Sequence, residues 1–262
     1  MSGAGGYNPQ YFAPLFEVED GHFWFRARNE VLRAIVRREI SALAPGYHVL
    51  EVGCGTGYVL RLLDELCAGG TVVGMDLFHE GLRLARQRTR APLVQARVES
   101  PPFRSRFELV GIFDTLEHVE DDRAALRHLR DLLQPGGALL VTVPAYQALW
   151  SEFDDEAHHC RRYEPATLET RLLEAGFTVE YLTPFMATLY PVARIGRAAS
   201  DVLRRRRRAA GRAGGSAVVE QLRIMPIVNP LLSFLLTQEA RLLAGRHRLP
   251  FGTSLLALAR MP

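Results

Sequence analysis

The segment Glu51-Val52-Gly53-Cys54-Gly55-Thr56-Gly57 constrains this chain more than any other. It follows a short apolar and β-branched run, YHVLEV at 47–52, and leads into YVLRLLDELC at 58–67, whose helical apolar spacing is stopped by Gly69-Gly70. Strand, glycine turn and helix in that order put the turn at the carboxyl edge of a parallel sheet, where open α/β sheets bind ligands. Glycines alone also suit a structural turn with positive φ, so a second feature is needed. Asp76 supplies it. It ends the next apolar run, VVGMD, nineteen residues past Gly57, where a carboxylate can accept hydrogen bonds from two ribose hydroxyls.

The alternation continues on both sides. A helical stripe over 30–44 ends at Pro45-Gly46, and a strand at 71–75 precedes a helix at 79–88 and a weak strand at 93–98. A strand at 107–113, a helix at 121–133 and a strand at 138–143 follow. A helix over 165–175, a strand over 177–182, a helix over 226–244 and a last strand at 254–260 complete the pattern. The expected fold is α/β: a doubly wound, Rossmann-like, mostly parallel sheet with helices on both faces and a helical C-terminal extension. Its expected parts are an N-terminal lid and helix (1–44), a ligand-binding core (45–182), and a basic helical cap with a final strand (183–262).

A composition of 48% hydrophobic and 23% charged residues over 262 positions excludes wholesale disorder. Three scattered cysteines give neither a disulfide framework nor a zinc ribbon, so the expected compartment is a reducing cytoplasm with no metal held by cysteine. The N-terminus lacks the pattern of a signal peptide, and no apolar run is long enough to cross a membrane.

The turn also discriminates between ligands. A dinucleotide fingerprint would need a small residue at position 58, where Tyr58 stands. Glu51 just ahead of the turn would oppose a pyrophosphate but suits a cation bearing an ammonium and a sulfonium. S-adenosylmethionine is such a ligand.

Together with GMD at 74–76, FDTLEHVED at 113–121 and LLQPGGALLVTVP at 132–144, the segment resembles class I S-adenosylmethionine-dependent methyltransferases over roughly residues 20–182. Within them it is similar to the ubiquinone-type O-methyltransferase group and its bacterial relatives. The resemblance implies that Glu51, Gly53 and Gly55, in one turn with Cys54 and Gly57, face the methionine part of the cofactor. It assigns Asp76 to the ribose and Leu77 to the adenine, with Asp114 closing the site beside the methionine. Arg97-Val98-Glu99-Ser100-Pro101-Pro102-Phe103 resembles the family stretch D-A-E-x-L-P-F, but Arg97 stands where the family has an acid. An arginine accepts no hydrogen bond, so adenine is expected against the backbone near Val98 and apolar neighbours.

Transfer of an activated methyl group asks the protein mainly for positioning and exclusion of water, and a hydroxyl acceptor also asks for a base. His118 is one candidate; its other reading is a structural hydrogen bond at a helix start. Asp114, Glu117 and His118 could instead gather a divalent cation, as the similar E-x-x-E-H segment does in ubiquinone O-methyltransferases. His158 and His159 are further base candidates, in a segment resembling H-x-R-R-Y of bacterial relatives. There Arg161 and Arg162 either clamp an anionic acceptor or pair with Asp154, Asp155 and Glu156. Near the N-terminus, His22 to Arg28 concentrates three aromatics ahead of the first helix. It reads as a lid with Trp24 over the pocket and Arg28 near the methionine carboxylate, or as an anchor packed on the sheet.

Charge separates the two ends of the chain: residues 1–179 hold 19 Arg and 25 acids, whereas 180–262 hold 13 Arg and 4 acids. The basic end could lie on an anionic membrane and reach a lipid-linked acceptor, or cap a pocket or homodimer interface with its charge solvated. The cap is preferred, and no base-reading module accompanies the arginines, so nucleic acid is not an expected partner. The expected function is methyl transfer from S-adenosylmethionine to a small or lipid-like acceptor, with oxygen as acceptor atom, in the cytoplasm or at the inner face of the membrane. The competing class is a non-catalytic protein that binds the cofactor, or nothing, and serves a partner through its basic end.

Overall fold

A computed structural model of the chain describes residues 7–104, 106–197 and 228–262, with 216, 218, 222–224 and 226. The run Arg204 to Arg208, whose five consecutive arginines beside Gly, Ala and Ser read as a loop or linker, lies outside the described residues.

Seven strands form one sheet in the order β3-β2-β1-β4-β5-β7-β6. They are β1 (His48–Val52), β2 (Thr71–Asp76), β3 (Leu93–Gln95), β4 (Phe107–Phe113), β5 (Leu133–Pro144), β6 (Thr178–Phe185) and β7 (Ser254–Arg260). The first five are parallel, and β7 runs antiparallel between β5 and β6, with Val141 opposite Ala257 and Leu182 opposite the same residue. A nearly polar-free strand, SLLALAR, fits a slot buried on both faces. The last strand of the chain therefore lies inside the sheet.

Helices among the described residues include α1 (Phe12–Val18), α2 (Phe23–Ile40), α3 (Tyr58–Leu66), α4 (His79–Arg88), α5 (Asp122–Leu132), α6 (Glu152–Glu156), α7 (Pro165–Glu174) and α8 (Val228–Ala244). Strand periodicity splits the core in two. Val49, Leu109, Leu140 and Leu258 face α2, α3 and α8, while Leu50, Val110, Leu139 and Ala259 face α5 and α7. Glu51 shares the Val49 face, so alternation aims a carboxylate toward α2.

Both ends of α2 differ from the sequence reading. The aromatics of His22 to Arg28 do not precede the first long helix: they form its first turns, because His22 accepts from the Trp24 backbone N–H as its N-cap. At the other end α2 stops at Ile40, short of Leu43.

Candidate active site

The carboxyl ends of β1, β2, β4 and β5 open into a cavity of about 1410 Å³. That exceeds the usual few hundred to ~1,000 Å³ of a single-ligand pocket, leaving room for a cofactor and a second molecule.

The glycine turn forms one wall. Gly57 has φ +77°, and a Cβ there would come within 2.8 Å of Ala85 in α4, so only glycine allows this helix approach. At Gly53, with φ +74°, a Cβ would fall 2.3 Å from the Thr115 hydroxyl. Asp76 ties the turn in place: its Oδ2 accepts from Gly55 N–H at 2.7 Å and its Oδ1 from Phe78 N–H at 2.8 Å. Burial pushes the Asp76 pKa up, against the pull of those backbone donors. Each oxygen keeps lone-pair capacity toward the cavity.

Glu51 is 2% exposed, and its Oε2 has no hydrogen-bond partner. Burial raises its pKa well above the carboxylate range; the nearby Asp76 and Glu19 charges add to this, and Arg28 opposes it. Arg28 reaches the same wall from α2, donating to Asp114 Oδ2 at 2.7 Å with its guanidinium 5.1 Å from the Trp24 ring centre. Asp114 holds a left-handed backbone (φ +47°) at the end of β4, in a chain turn that keeps its carboxylate near Arg28.

Cys54, Gly55, Leu77 and Val98 also line the cavity, and Gln95 donates to the Leu77 carbonyl at 3.0 Å. Gly57 lies behind the turn, packed against Ala85. Arg97 turns to Glu99 at 3.4 Å.

Beyond this half lies a polar cluster. Glu117 is buried with Oε2 unpartnered, and its pKa is raised well above the ordinary range by burial and by the Asp114 charge. His118 and His159 meet edge to face with ring centres 4.7 Å apart. Desolvation, reinforced by His159, drives the His118 pKa down to about 3, so the ring stays neutral. Asp154 fixes His159: Nδ1 lies 2.8 Å from Asp154 Oδ1, while Ser151 N–H and Oγ donate to the other oxygen. Burial alone would raise the Asp154 pKa, but His159 and Arg162 hold it down to about 2. The Asp154 carboxylate thus holds the His159 ring by its Nδ1 side. His158 is exposed at the rim, with φ +57°, and its backbone reaches His118.

Glu117, His118 and His159 each offer a ligand atom within 4.8 Å of the others, a set able to hold a metal. It differs from the cation set read in the sequence, because Asp114 is engaged by Arg28 and His159 arrives from the loop after β5. Arg161 and Arg162 do not point together as a clamp. Arg161 pairs with Asp122 at 2.9 Å and donates to the Glu120 carbonyl, and Arg162 pairs with the buried Asp154 at 2.7 Å.

The segment 7–20 covers the half of the cavity walled by the glycine turn, a placement that sequence reading missed. Tyr7, Tyr11 and Phe12 line the cavity, with Tyr7 edge-on to His118 at 5.2 Å. Arg88 of α4, 4% exposed, anchors it by pairing with Glu19 and donating to the Phe16 carbonyl at 2.7 Å. Glu19 also accepts from the Thr56 hydroxyl at 2.5 Å. The available signal was four aromatics in ten residues, Tyr7, Tyr11, Phe12 and Phe16, too dense for an unstructured end.

A family model for a methyltransferase domain matches residues 24–182. The chain belongs to that methyltransferase family. Its cofactor is S-adenosylmethionine. A Mycolicibacterium smegmatis protein named "Probable S-adenosylmethionine-dependent methyltransferase" is 30% identical over 169 residues, 62% of each chain. The ubiquinone/menaquinone biosynthesis C-methyltransferase of Shewanella frigidimarina is 32% identical over 44% of this chain and 51% of its own. The chain thus spans between half and two thirds of the length of these curated relatives. Among solved structures, a chain in the complex containing the Haloferax volcanii Trm112 methyltransferase activator matches with TM-score 0.61 over 97% of both chains at 19% identity, a likeness of fold.

Two features of the methyltransferase cavity fit the cofactor. The orphaned Glu51 oxygen is an acceptor lacking only a cationic donor, and the Gly53-Cys54-Gly55 backbone beside it lines the cavity without a side chain at either glycine.

Proposed function

We propose that this protein transfers the methyl group of S-adenosylmethionine to an oxygen atom of a small or lipid-like acceptor. When bound, the cofactor supplies a methyl group already activated on a sulfonium. In this reading Glu51 receives the ammonium group and Arg28, steadied by Asp114 and Trp24, receives the carboxylate of the methionine part. Gly53, Cys54 and Gly55 form the surface against which that part lies, and Gly57 supports the turn from behind. Asp76 takes the ribose, and Leu77 and Val98 flank the adenine.

His159 is the base. Asp154 orients it through Nδ1, and His159 lines the same cavity as Glu51 and Asp76, so Nε2 is the nitrogen assigned to the acceptor. His118 is a weak acceptor when its pKa is held near 3, so it serves as a neutral wall that orients the acceptor. His158 is exposed at the rim, and among the described residues no carboxylate is bonded to its ring as Asp154 is to His159. The observation that carries the proposal is the juxtaposition, in one cavity, of a cofactor wall and an oriented Asp154–His159 pair.

The relatives named as C-methyltransferases favour a second reading, transfer to carbon. Incubation of the full chain with S-adenosylmethionine labelled in its methyl carbon, together with cellular lipid and small-molecule fractions, separates the two, because methyl resonances on oxygen and on carbon are far apart. The expected product is an O-methyl compound. His159→Ala should lower kcat by about 10²–10⁴-fold with cofactor affinity unchanged. Loss on His118→Ala, with His159→Ala active, would transfer the base role to His118.

A further inference from the structure

Ten large hydrophobic side chains are exposed among the described residues, and eight of them fall between Val192 and Leu242. Scattered exposed leucines need no explanation, but a concentration of this kind marks an interface. It has two sources.

The first is the helical stretch 190–197, where Val192 and Ile195, one turn apart, are 70% and 71% exposed. Val192 also lines the active-site cavity, so this apolar helix forms part of its mouth. The second is α8, which is apolar on two faces. Leu236, Ala240 and Leu243 are buried on the α2 side. Val228, Leu231, Leu235 and Leu242, spaced by three, four and seven residues, share the opposite face with Phe234 at its edge, and all five are exposed. The two sources are joined, because Glu239 of α8 accepts from the Ala187 and Thr188 N–H groups at the foot of the 190–197 stretch.

The charge of this region selects the occupant. Residues 180–262 carry 13 Arg against 4 acids. Two of those acids are already committed, Glu239 to backbone donors and Glu180 to Arg260 at 2.9 Å. Exposed arginines stand beside the apolar residues: Arg194 between Val192 and Ile195, Arg223 beside Ile224, and Arg241 beside Leu242. A second copy of the chain on this face would bring the same cations together, whereas an anionic lipid surface receives both the apolar residues and the arginines. No helix among the described residues is long and apolar enough to cross a membrane, which leaves an interfacial arrangement as the way to use such a face.

We propose that α8 and the stretch 190–197 dock on an anionic membrane surface, and that the cavity draws an amphiphilic acceptor from that surface through the mouth lined by Val192. The second clause rests on the function proposed above; the docking itself does not. The test is co-sedimentation of the full chain with vesicles of phosphatidylglycerol and phosphatidylcholine, and with phosphatidylcholine alone. Binding to the mixed vesicles, weakened by salt and absent from the neutral ones, is expected. The double variant Leu231→Ser/Phe234→Ser should weaken it about tenfold or more, since both side chains leave water only on docking. Leu173→Ser, at an exposed leucine of α7, should leave it unchanged. Calorimetry with S-adenosylmethionine should give the same affinity for the double variant as for the parent, and Asp76→Ala should still bind vesicles, so docking and cofactor binding fail separately. Equal binding to both vesicle types, no binding to either, or binding insensitive to the double variant would overturn docking. So would sedimentation equilibrium showing a dimer that Phe234→Ser dissociates.

Discussion

Glu51 carries most of the specificity argued for the cofactor, and its burial has a thermodynamic consequence. A carboxylate that is 2% exposed and holds one unpartnered oxygen destabilises the fold when it ionises. Because its folded pKa lies above its unfolded one, the folded state binds more protons, and stability is lost as pH rises through the interval between the two. Glu51→Gln keeps the shape and removes the charge. It should raise the melting temperature at pH 8, by about 2–4 °C for each kcal/mol of relieved desolvation, while weakening S-adenosylmethionine binding about tenfold or more. A thermal melt and a titration on the same preparation check both signs, and a variant neither stabilised nor impaired would mean that Glu51 has another partner. Glu51 and Asp76 were legible in the sequence because strand-end positions and turn spacing fix where such side chains go. The Asp154–His159 pair was not: its partners are joined by the capped helix α6, whose Ser151–Asp154 capping box turns the carboxylate inward. The sequence offered His159 as a candidate base and, equally, pairing of this segment with Asp154, Asp155 and Glu156 on the surface, without showing that Asp154 is buried.

At the scale of elements, the segment 7–20 is held down chiefly by one arginine. Arg88 pairs with Glu19 and reaches Asp20 and the Phe16 carbonyl, with its guanidinium 4.1 Å from the Phe16 ring centre. Arg88→Met leaves Glu19 buried without its cation, a change that typically costs about 3–5 kcal/mol when one partner of a buried pair is removed. The expected result is faster limited proteolysis within residues 12–20 and faster cofactor dissociation, with the sheet intact by circular dichroism. Unchanged cleavage would show that aromatic packing alone secures the segment. The strands and most helices were read from the sequence within a few residues, since alternation and caps are local signals. The short α1 was not, because seven residues hold less than two full periods of a helical pattern. The N-terminal limit of α2 was hidden by three consecutive aromatics that read as a lid or as an anchor packed on the sheet.

For the molecule as a whole, acid should be the sensitive side. His118 has a folded pKa near 3 against about 6.5 when unfolded, so the unfolded state binds the extra proton between those values and stability rises with pH across that window. Urea denaturation at pH 4 and pH 7 should show a stability loss on acidification that His118→Asn reduces; an identical loss in the variant would place the acid sensitivity elsewhere. The placement of β7 between β5 and β6 makes the C-terminal end part of the same cooperative sheet as the glycine turn. The alternation predicted that strand but not its slot, because pairing order is set by packing between distant segments.

Isothermal titration of the full chain with S-adenosylmethionine and S-adenosylhomocysteine tests the central claim most directly. The account predicts that both bind at one site, that Asp76→Ala weakens both, and that Glu51→Ala also weakens both. Absence of binding to either ligand, or affinities untouched by both substitutions, would contradict it.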